Sequence, residues 1–175
     1  MGAFARDAIQ SLRDTIWAIH SETVTLPEFQ VKIRQFLRKQ QDLFGSCRLV
    51  FEADGVASLT LTSVQALNLF RIVQEALNNA LKHAGASQIT VSCQLTTDQL
   101  FCLTIRDNGR GFVMDEQLDA EPHYGLLNMN HRAAELNGYC QIESVVNSGT
   151  SVSVLIRSDG SPVPAPVAQN TTVSV

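Results

Sequence analysis

No run of apolar residues in these 175 positions approaches the roughly 18 to 20 that a membrane-spanning helix needs. The N-terminus also lacks the charged-then-apolar layout of a signal peptide. The chain is therefore expected to be soluble and cytoplasmic, with no membrane contact of its own, and any membrane anchor would belong to a larger parent protein. Clustered Lys and Arg are missing too: thirteen basic residues are scattered, and the formal net charge is -4. That argues against a nucleic-acid surface, so an anionic ligand would have to be held locally by a few placed groups. The four cysteines, Cys47, Cys93, Cys102 and Cys140, include no CxxC pair and no histidine at metal-ligand spacing. Small buried hydrophobes in a reducing cytosol are the preferred reading. Internal repeats are absent.

A composition 45% hydrophobic can bury one good core but not two full domains. Apolar positions Ala5, Ile9, Leu12, Ile16 and Ile19 recur at spacings of three and four, which predicts an amphipathic helix over 5–20. Thr25 and Glu28 read as a capping box with Pro27 in the first turn, launching a helix to about Phe44 that Gly45 closes. A short strand over 47–51, the Asp54-Gly55 turn and a small-residue loop follow. Thr62 and Gln65 form a second capping box, opening the longest helix, to about Ala84 and Gly85. Strands near 88–95 and 99–106 make a hairpin across Thr96 to Asp98. If Ile89, Val91 and Cys93 face Ile105, Leu103 and Phe101, Cys102 points to the opposite side and a Cys93–Cys102 disulfide is not expected. Met114 to Pro122 is acidic and aperiodic, a mobile loop by pattern. A helix over 126–136 ends at Asn137-Gly138, and strands near 139–146 and 150–157 close the domain. From Ser158 the composition suggests a disordered tail.

On the long helix, Glu75, Asn79, Lys82 and His83 share one face, opposite Val73, Leu77, Ala80, Leu81 and Ala84. A solvated stripe would give the same grouping, but Asn and His are mediocre helix formers that a plain exposed face gains little by using. An Asn oxygen suits Mg2+, Glu can orient or deprotonate an acceptor, and Lys82 and His83 can meet phosphate charge. For His83 alone, a structural hydrogen-bonding role stands equally open.

Asp107-Asn108-Gly109-Arg110-Gly111-Phe112 follows a strand directly. The segment has strong turn chemistry, yet two glycines beside a carboxylate offer more than a turn requires. Glycine lets backbone approach a flat ligand, and Asp107 can accept from an exocyclic amine. The spacing does not match a dinucleotide fingerprint. His123-Tyr124-Gly125 sits where loop becomes helix. It is either an ordinary helix start or a phosphate site using free backbone N–H groups, which would need no added basic residues.

In this order and spacing, the segments resemble the nucleotide-binding boxes of the GHKL superfamily of gyrase, heat-shock chaperone, histidine kinase and MutL ATPases. FRIVQEALNNALKHAG resembles the N box, DNGRGF the first glycine box, YGLLNM the second, and Ser148-Gly149-Thr150 the final glycine-threonine element. QEALNNALKHA and the short lid are most similar to histidine kinases paired with LuxR- and NarL-type response regulators. The resemblance covers roughly residues 47–157.

The resemblance implies a two-layer α/β sandwich with a mixed sheet, preceded by a partial helical dimerisation segment, and ATP and Mg2+ as ligands. It makes Glu75 the catalytic carboxylate, Asn79 the Mg2+ ligand, and Lys82 and His83 phosphate neighbours. Asp107 would bind the adenine amine and Gly109 and Gly111 shape its pocket. Tyr124, Gly125 and Leu126 would belong to the ATP-covering lid, with Thr150 near the base and Arg132 supporting the lid helix. Residues 1–44 become a helical lead-in, the remnant of a dimerisation hairpin and the helix after it. Residues 45–157 become the ATP-binding catalytic domain, and 158–175 the tail.

One departure from the family pattern concerns the phosphoacceptor. No ELHD-like segment occurs, and residues 5–20, with LRDTIW, resemble the second helix of the family's hairpin. His20 at its far end reads as a cap or surface residue. The chain is thus expected to be a piece of a larger, homodimeric sensor kinase, binding ATP without phosphorylating itself. The parent would pass the γ-phosphate to a histidine and then to a response-regulator receiver domain. The alternatives are an anti-sigma-factor-type serine kinase and an interaction module that has lost nucleotide.

Overall fold

The computed structural model describes residues 22–53, 59–96, 100–113, 124–157 and 159–163. The helix expected over 5–20, the Asp54-Gly55 turn, the tip of the 88–107 hairpin, the acidic stretch after Val113 and the chain beyond Val163 lie outside them. The elements run β1 (Thr23–Thr25), α1 (Leu26–Leu43), β2 (Arg48–Ala53), β3 (Thr60–Thr62), α2 (Ser63–Asn79), β4 (Gln88–Leu95), β5 (Leu100–Asp107), α3 (Tyr124–Glu135), β6 (Tyr139–Val145) and β7 (Gly149–Arg157). No helix among the described residues is long and apolar enough to cross a membrane.

Both capping boxes form as the sequence predicts. Thr25 accepts from the Glu28 N–H at 3.4 Å while Glu28 accepts the Thr25 N–H at 2.8 Å. These Thr25 bonds hold the Glu28 carboxyl below its usual range. At α2, Thr62 and Gln65 make the reciprocal pair at 3.2 and 2.9 Å. Gln65 also reaches the Arg157 carbonyl at 3.2 Å, tying the helix start to the end of β7.

The main sheet is mixed, ordered β2-β4-β5-β7-β6; β2 runs parallel to β4, and the remaining neighbours are antiparallel. Alternate residues of its central strands are buried: Ile89, Val91 and Cys93 on β4, Phe101, Leu103 and Ile105 on β5, Val152, Val154 and Ile156 on β7. The helices cover that face in one continuous core. The other face is polar, with Thr104 and Ser153 hydroxyls 3.1 Å apart. Cys102 shares the polar face, and Cys93 opposes Leu103, so the expected face assignment holds and all four described cysteines are free. The pairing itself is shifted by two residues from the expected one, Val91 facing Ile105 rather than Leu103. The sheet continues to Asp107, one residue past the expected end of β5.

Two short strands were not expected. Val24 and Leu61, each flanked by threonines, turn inward from an antiparallel pair that joins β1 to β3. Three-residue strands are too short to show a two-residue period. Helix α1 packs Phe29 and Ile33, both fully buried, into the same core, with Phe29 edge-on to Phe101 at 6.3 Å. Gln41 holds its far end to β2 through bonds with Cys47 O and Leu49 N, both 2.8 Å. Beyond β7, Val163 N donates to Asn137 O at 2.9 Å and Asn137 Nδ2 to Gly160 O at 3.0 Å, which folds residues 159–163 back onto the turn after α3.

Candidate functional site

Helix α2 does not stay α-helical to its end. Ala80–Ala84 form a π turn closed by Gly85 in the left-handed region. A wider turn advances each side chain less than the roughly 100° of an α-helix, so positions after Asn79 rotate away from the α-helical projection. His83 stays with Glu75 and Asn79 on the wall of a cavity of about 730 Å³, and Ala84 joins them. Lys82, assigned to the same face by α-helical spacing, is exposed and outside the lining.

Beneath α2, Asp107 ends β5 with only 6% of its surface exposed and lines the same cavity. Its Oδ1 accepts the Gly109 N–H at 2.8 Å, and among the described residues no other donor reaches the carboxylate. A buried carboxylate with unused acceptor capacity is costly unless a ligand completes it. Its negative charge, after burial itself, helps push the Cys47 thiol up.

The loop after Asp107 is held at several points. Asn108 Oδ1 accepts from Ser87 N and Gln88 N, both at 3.0 Å, and its Nδ2 donates to Ser87 Oγ at 2.9 Å. Arg110 N donates to Ala84 O at 2.8 Å, and Arg110 O accepts from Asn147 N at 2.6 Å. Gly109 is buried against Ala84, where a Cβ would meet the Ala84 carbonyl, so it shapes the site from outside the lining. Gly111 and Thr150 line the cavity.

Tyr124, Gly125 and Leu126, the first turn of α3, form the opposite wall. A Cβ on Gly125 would collide with Glu75 Oε1 and lie 3.3 Å from Asn79 Nδ2, so the absent side chain allows α3 to abut the α2 face. Of the eleven residues singled out from the sequence, nine line one cavity; Lys82 and Gly109 do not. Sequence reasoning passed over Met129, Ile105, Val152, Arg110 and Phe112, which also line it, as do Ala76 and, against the opposite face expected for them, Ala80 and Ala84. The first three are apolar in ordinary core patterns, and nothing local marks them as facing a cavity. Arg110 and Phe112 were legible as members of the glycine loop.

The cavity has the size and the mixture of apolar walls and few polar groups typical of small-molecule sites. Its donor set fits a nucleotide and a divalent cation. Among the described residues no three His, Cys, Asp or Glu side chains cluster as a metal site. A cation here would take the Asn79 amide oxygen with phosphate oxygens and water, the coordination Mg2+ favours.

The chain matches the family described as "Histidine kinase-, DNA gyrase B-, and HSP90-like ATPase" over residues 64–160, more than half its length. The nitrate/nitrite sensor protein NarQ of Escherichia coli (strain K12) is 35% identical over 156 residues, covering 87% of this chain and 26% of NarQ. Sensor protein VraS of Staphylococcus aureus (strain COL) is 44% identical over 87 residues, covering 50% of this chain and 24% of VraS. The chain thus spans a minor part of the curated relatives it matches. The histidine kinase domain from the Erythrobacter litoralis EL346 blue-light activated histidine kinase superposes with a TM-score of 0.68 at 17% identity, covering 89% of this chain and 83% of that one. Acinetobacter baumannii histidine kinase AdeS gives 0.62 at 17% identity, covering 86% and 77%. At that identity the likeness is one of fold. With the matched segment spanning every element of the cavity, this chain belongs to the family of histidine kinase-, DNA gyrase B- and HSP90-like ATPases.

Proposed function

We propose that this chain is the ATP-binding catalytic domain of a two-component sensor histidine kinase. The observation that carries the reading is the buried Asp107 carboxylate, with acceptor capacity to spare, in one cavity with the Glu75–Asn79 face of α2. An exocyclic adenine amine supplies the missing donor at Asp107, and the triphosphate then extends toward Asn79, His83 and the first turn of α3. Free N–H groups at that helix start meet phosphate charge without a basic cluster, which accords with the acidic chain. Asn79 holds Mg2+, which when bound neutralises phosphate charge. Glu75, beside it, orients the acceptor group and accepts its proton. Gly109 and Gly111 shape the base pocket, and Lys82 contributes only longer-range attraction from its exposed position.

The transfer itself rests on positioning and electrostatics, as in other phosphoryl transfers. The acceptor is a histidine of the parent kinase, the onward partner is a response-regulator receiver domain, and the parent acts as a homodimer. The sensor proteins among the relatives support this reading over a serine kinase of the anti-sigma-factor type. Residues 1–44 are assigned to the connection with the dimerisation helices, although α1 also contributes to the catalytic core.

Titration with a fluorescent ATP analogue, with and without Mg2+, tests the proposal. Saturable binding displaced by ATP is expected, and absence of binding in both conditions would return the chain to the class of interaction modules.

A further inference from the structure

Three polar side chains form a row across the end of the main sheet, on its helix-covered side. Ser144 on β6 pairs directly with Thr150 on β7. The β5–β7 register, with Arg106 opposite Ser151, continues one step to set Asp107 beside Thr150. Asp107 and Thr150 line the cavity, and Ser144 stands behind Thr150, outside the lining.

The protons of this row can be accounted for. Phe112 N–H donates to Ser144 Oγ at 2.9 Å, so Ser144 is already an acceptor. Its own proton has two acceptors within reach: Thr150 Oγ1 at 2.9 Å and the Gly149 carbonyl at 3.4 Å. Hydroxyl bonds are normally 2.5–3.0 Å, roughly, so Ser144 directs its proton at Thr150 Oγ1, the nearer of the two acceptors. Thr150 Oγ1 then accepts from Ser144, which leaves the Thr150 hydroxyl hydrogen free for the cavity. Without Ser144, Thr150 could present either a donor or a lone pair.

We propose that Ser144 is a positioning residue for base recognition: it fixes Thr150 as a hydrogen-bond donor beside the acceptor Asp107. This assignment rests on the nucleotide reading above. Adenine carries a donor amine next to the acceptor N1, which is the complement of an acceptor carboxylate beside a donor hydroxyl, met directly or through one water. Guanine carries the opposite pair, an acceptor O6 next to a donor N1–H, and is rejected. Specificity of this kind is strong because a mismatched base leaves buried polar groups unpaired.

The test uses the purified chain and competition binding of ATP against 1-deaza-ATP, which lacks the N1 acceptor. The wild type is expected to prefer ATP. Ser144→Ala should reduce that preference about tenfold, the worth of one neutral hydrogen bond, by weakening ATP more than the analogue. Ser144→Thr should retain the preference, Thr150→Val should abolish it, and adding Ser144→Ala to Thr150→Val should change it no further. If Ser144→Ala fails to fold, Ser144→Cys, with a weak S–H donor of similar size, replaces it. Equal weakening of both ligands, or an unchanged preference, would overturn the Ser144 role while leaving ATP binding in place. Failure of the wild type to bind ATP at all would overturn the nucleotide reading, and this assignment with it.

Discussion

Asn68 on α2 accepts a 3.1 Å hydrogen bond from Arg132 Nη1 on α3, and its own amide donates to Glu135 Oε2 at 3.3 Å. Asn68 is 7% exposed, so the centre of this polar bridge is buried between two helices that form opposite walls of the cavity, while Glu135 at its outer end stays exposed. Arg132→Ala is expected to strand the Asn68 oxygen and destabilise the fold by about 1–3 kcal/mol in urea unfolding. Because the two residues share one bond, Arg132→Ala combined with Asn68→Ala should cost less than the sum of the single changes. Additive effects would show that the pair does not join α2 to α3.

Asp107→Asn should weaken ATP binding about 10- to 100-fold, the range for a hydrogen bond to a charged group. Oδ1 is already committed to the Gly109 N–H. An amide that keeps that bond must aim its NH2 group at whatever the second oxygen met. Isothermal titration with ATP checks this, and unchanged affinity would remove the adenine assignment.

Asn79→Ala acts at the cation rather than the base. Nucleotide affinity in EDTA should be nearly preserved, while the added affinity produced by Mg2+ should disappear. Phosphoryl transfer to a histidine on an added acceptor helix should fall by at least about a hundredfold, since the metal contribution to such steps is several kcal/mol. Acid-labile phosphohistidine is the readout, and persistent transfer would place the metal ligand elsewhere.

Two glycines separate strain from crowding. Gly85 and Gly149 both have positive φ, +61° and +93°. Nothing lies within 4 Å of a Cβ at Gly85, so Gly85→Ala should cost about 1–2 kcal/mol from backbone conformation alone. At Gly149 a Cβ would drive into the Asp107 carbonyl. Gly149→Ala should therefore cost more in thermal unfolding and also reduce ATP affinity, because the backbone that must move carries Asp107.

Burial pushes the Cys93 thiol up to about 12, with the neighbouring Cys102 adding to the effect, and burial alone pushes Cys140 to about 11. An unfolded cysteine titrates near about 8.5. Between those values the unfolded chain has released protons that the folded chain retains, so stability falls as pH rises. This contribution is fully present below about pH 8.5 and is lost progressively toward pH 11–12. Urea midpoints at pH 7.5 and 10 should show the drop. Cys93→Ala should lower stability at pH 7.5 through its cavity but lessen the loss on going to pH 10.

Much of the architecture is local enough to be read along the chain. The two capping boxes, the one-sided burial of β4 and β5, and the outward turn of Cys102 follow from periods of 3.6 and 2 and from caps that close within four residues. Most of the cavity residues were also legible, because Asp, Asn and Gly at fixed spacings have few other local uses. The strands β1 and β3 were not, since three residues carry no measurable period and their pairing spans the whole of α1.

The sequence by itself determined which side chains could meet a nucleotide and which faces of the helices and strands are apolar, because those properties depend on residue type and local spacing. Only the tertiary structure decided which candidates share a cavity. A π turn rotates Lys82 away while keeping His83, Gly125 is glycine because Glu75 lies against it, and Ser144 stands behind Thr150 through a register set between strands. The first depends on a helix winding that α-helical spacing does not anticipate, the second on contact between residues distant in the chain, and the third on a hairpin register that alternation alone leaves open.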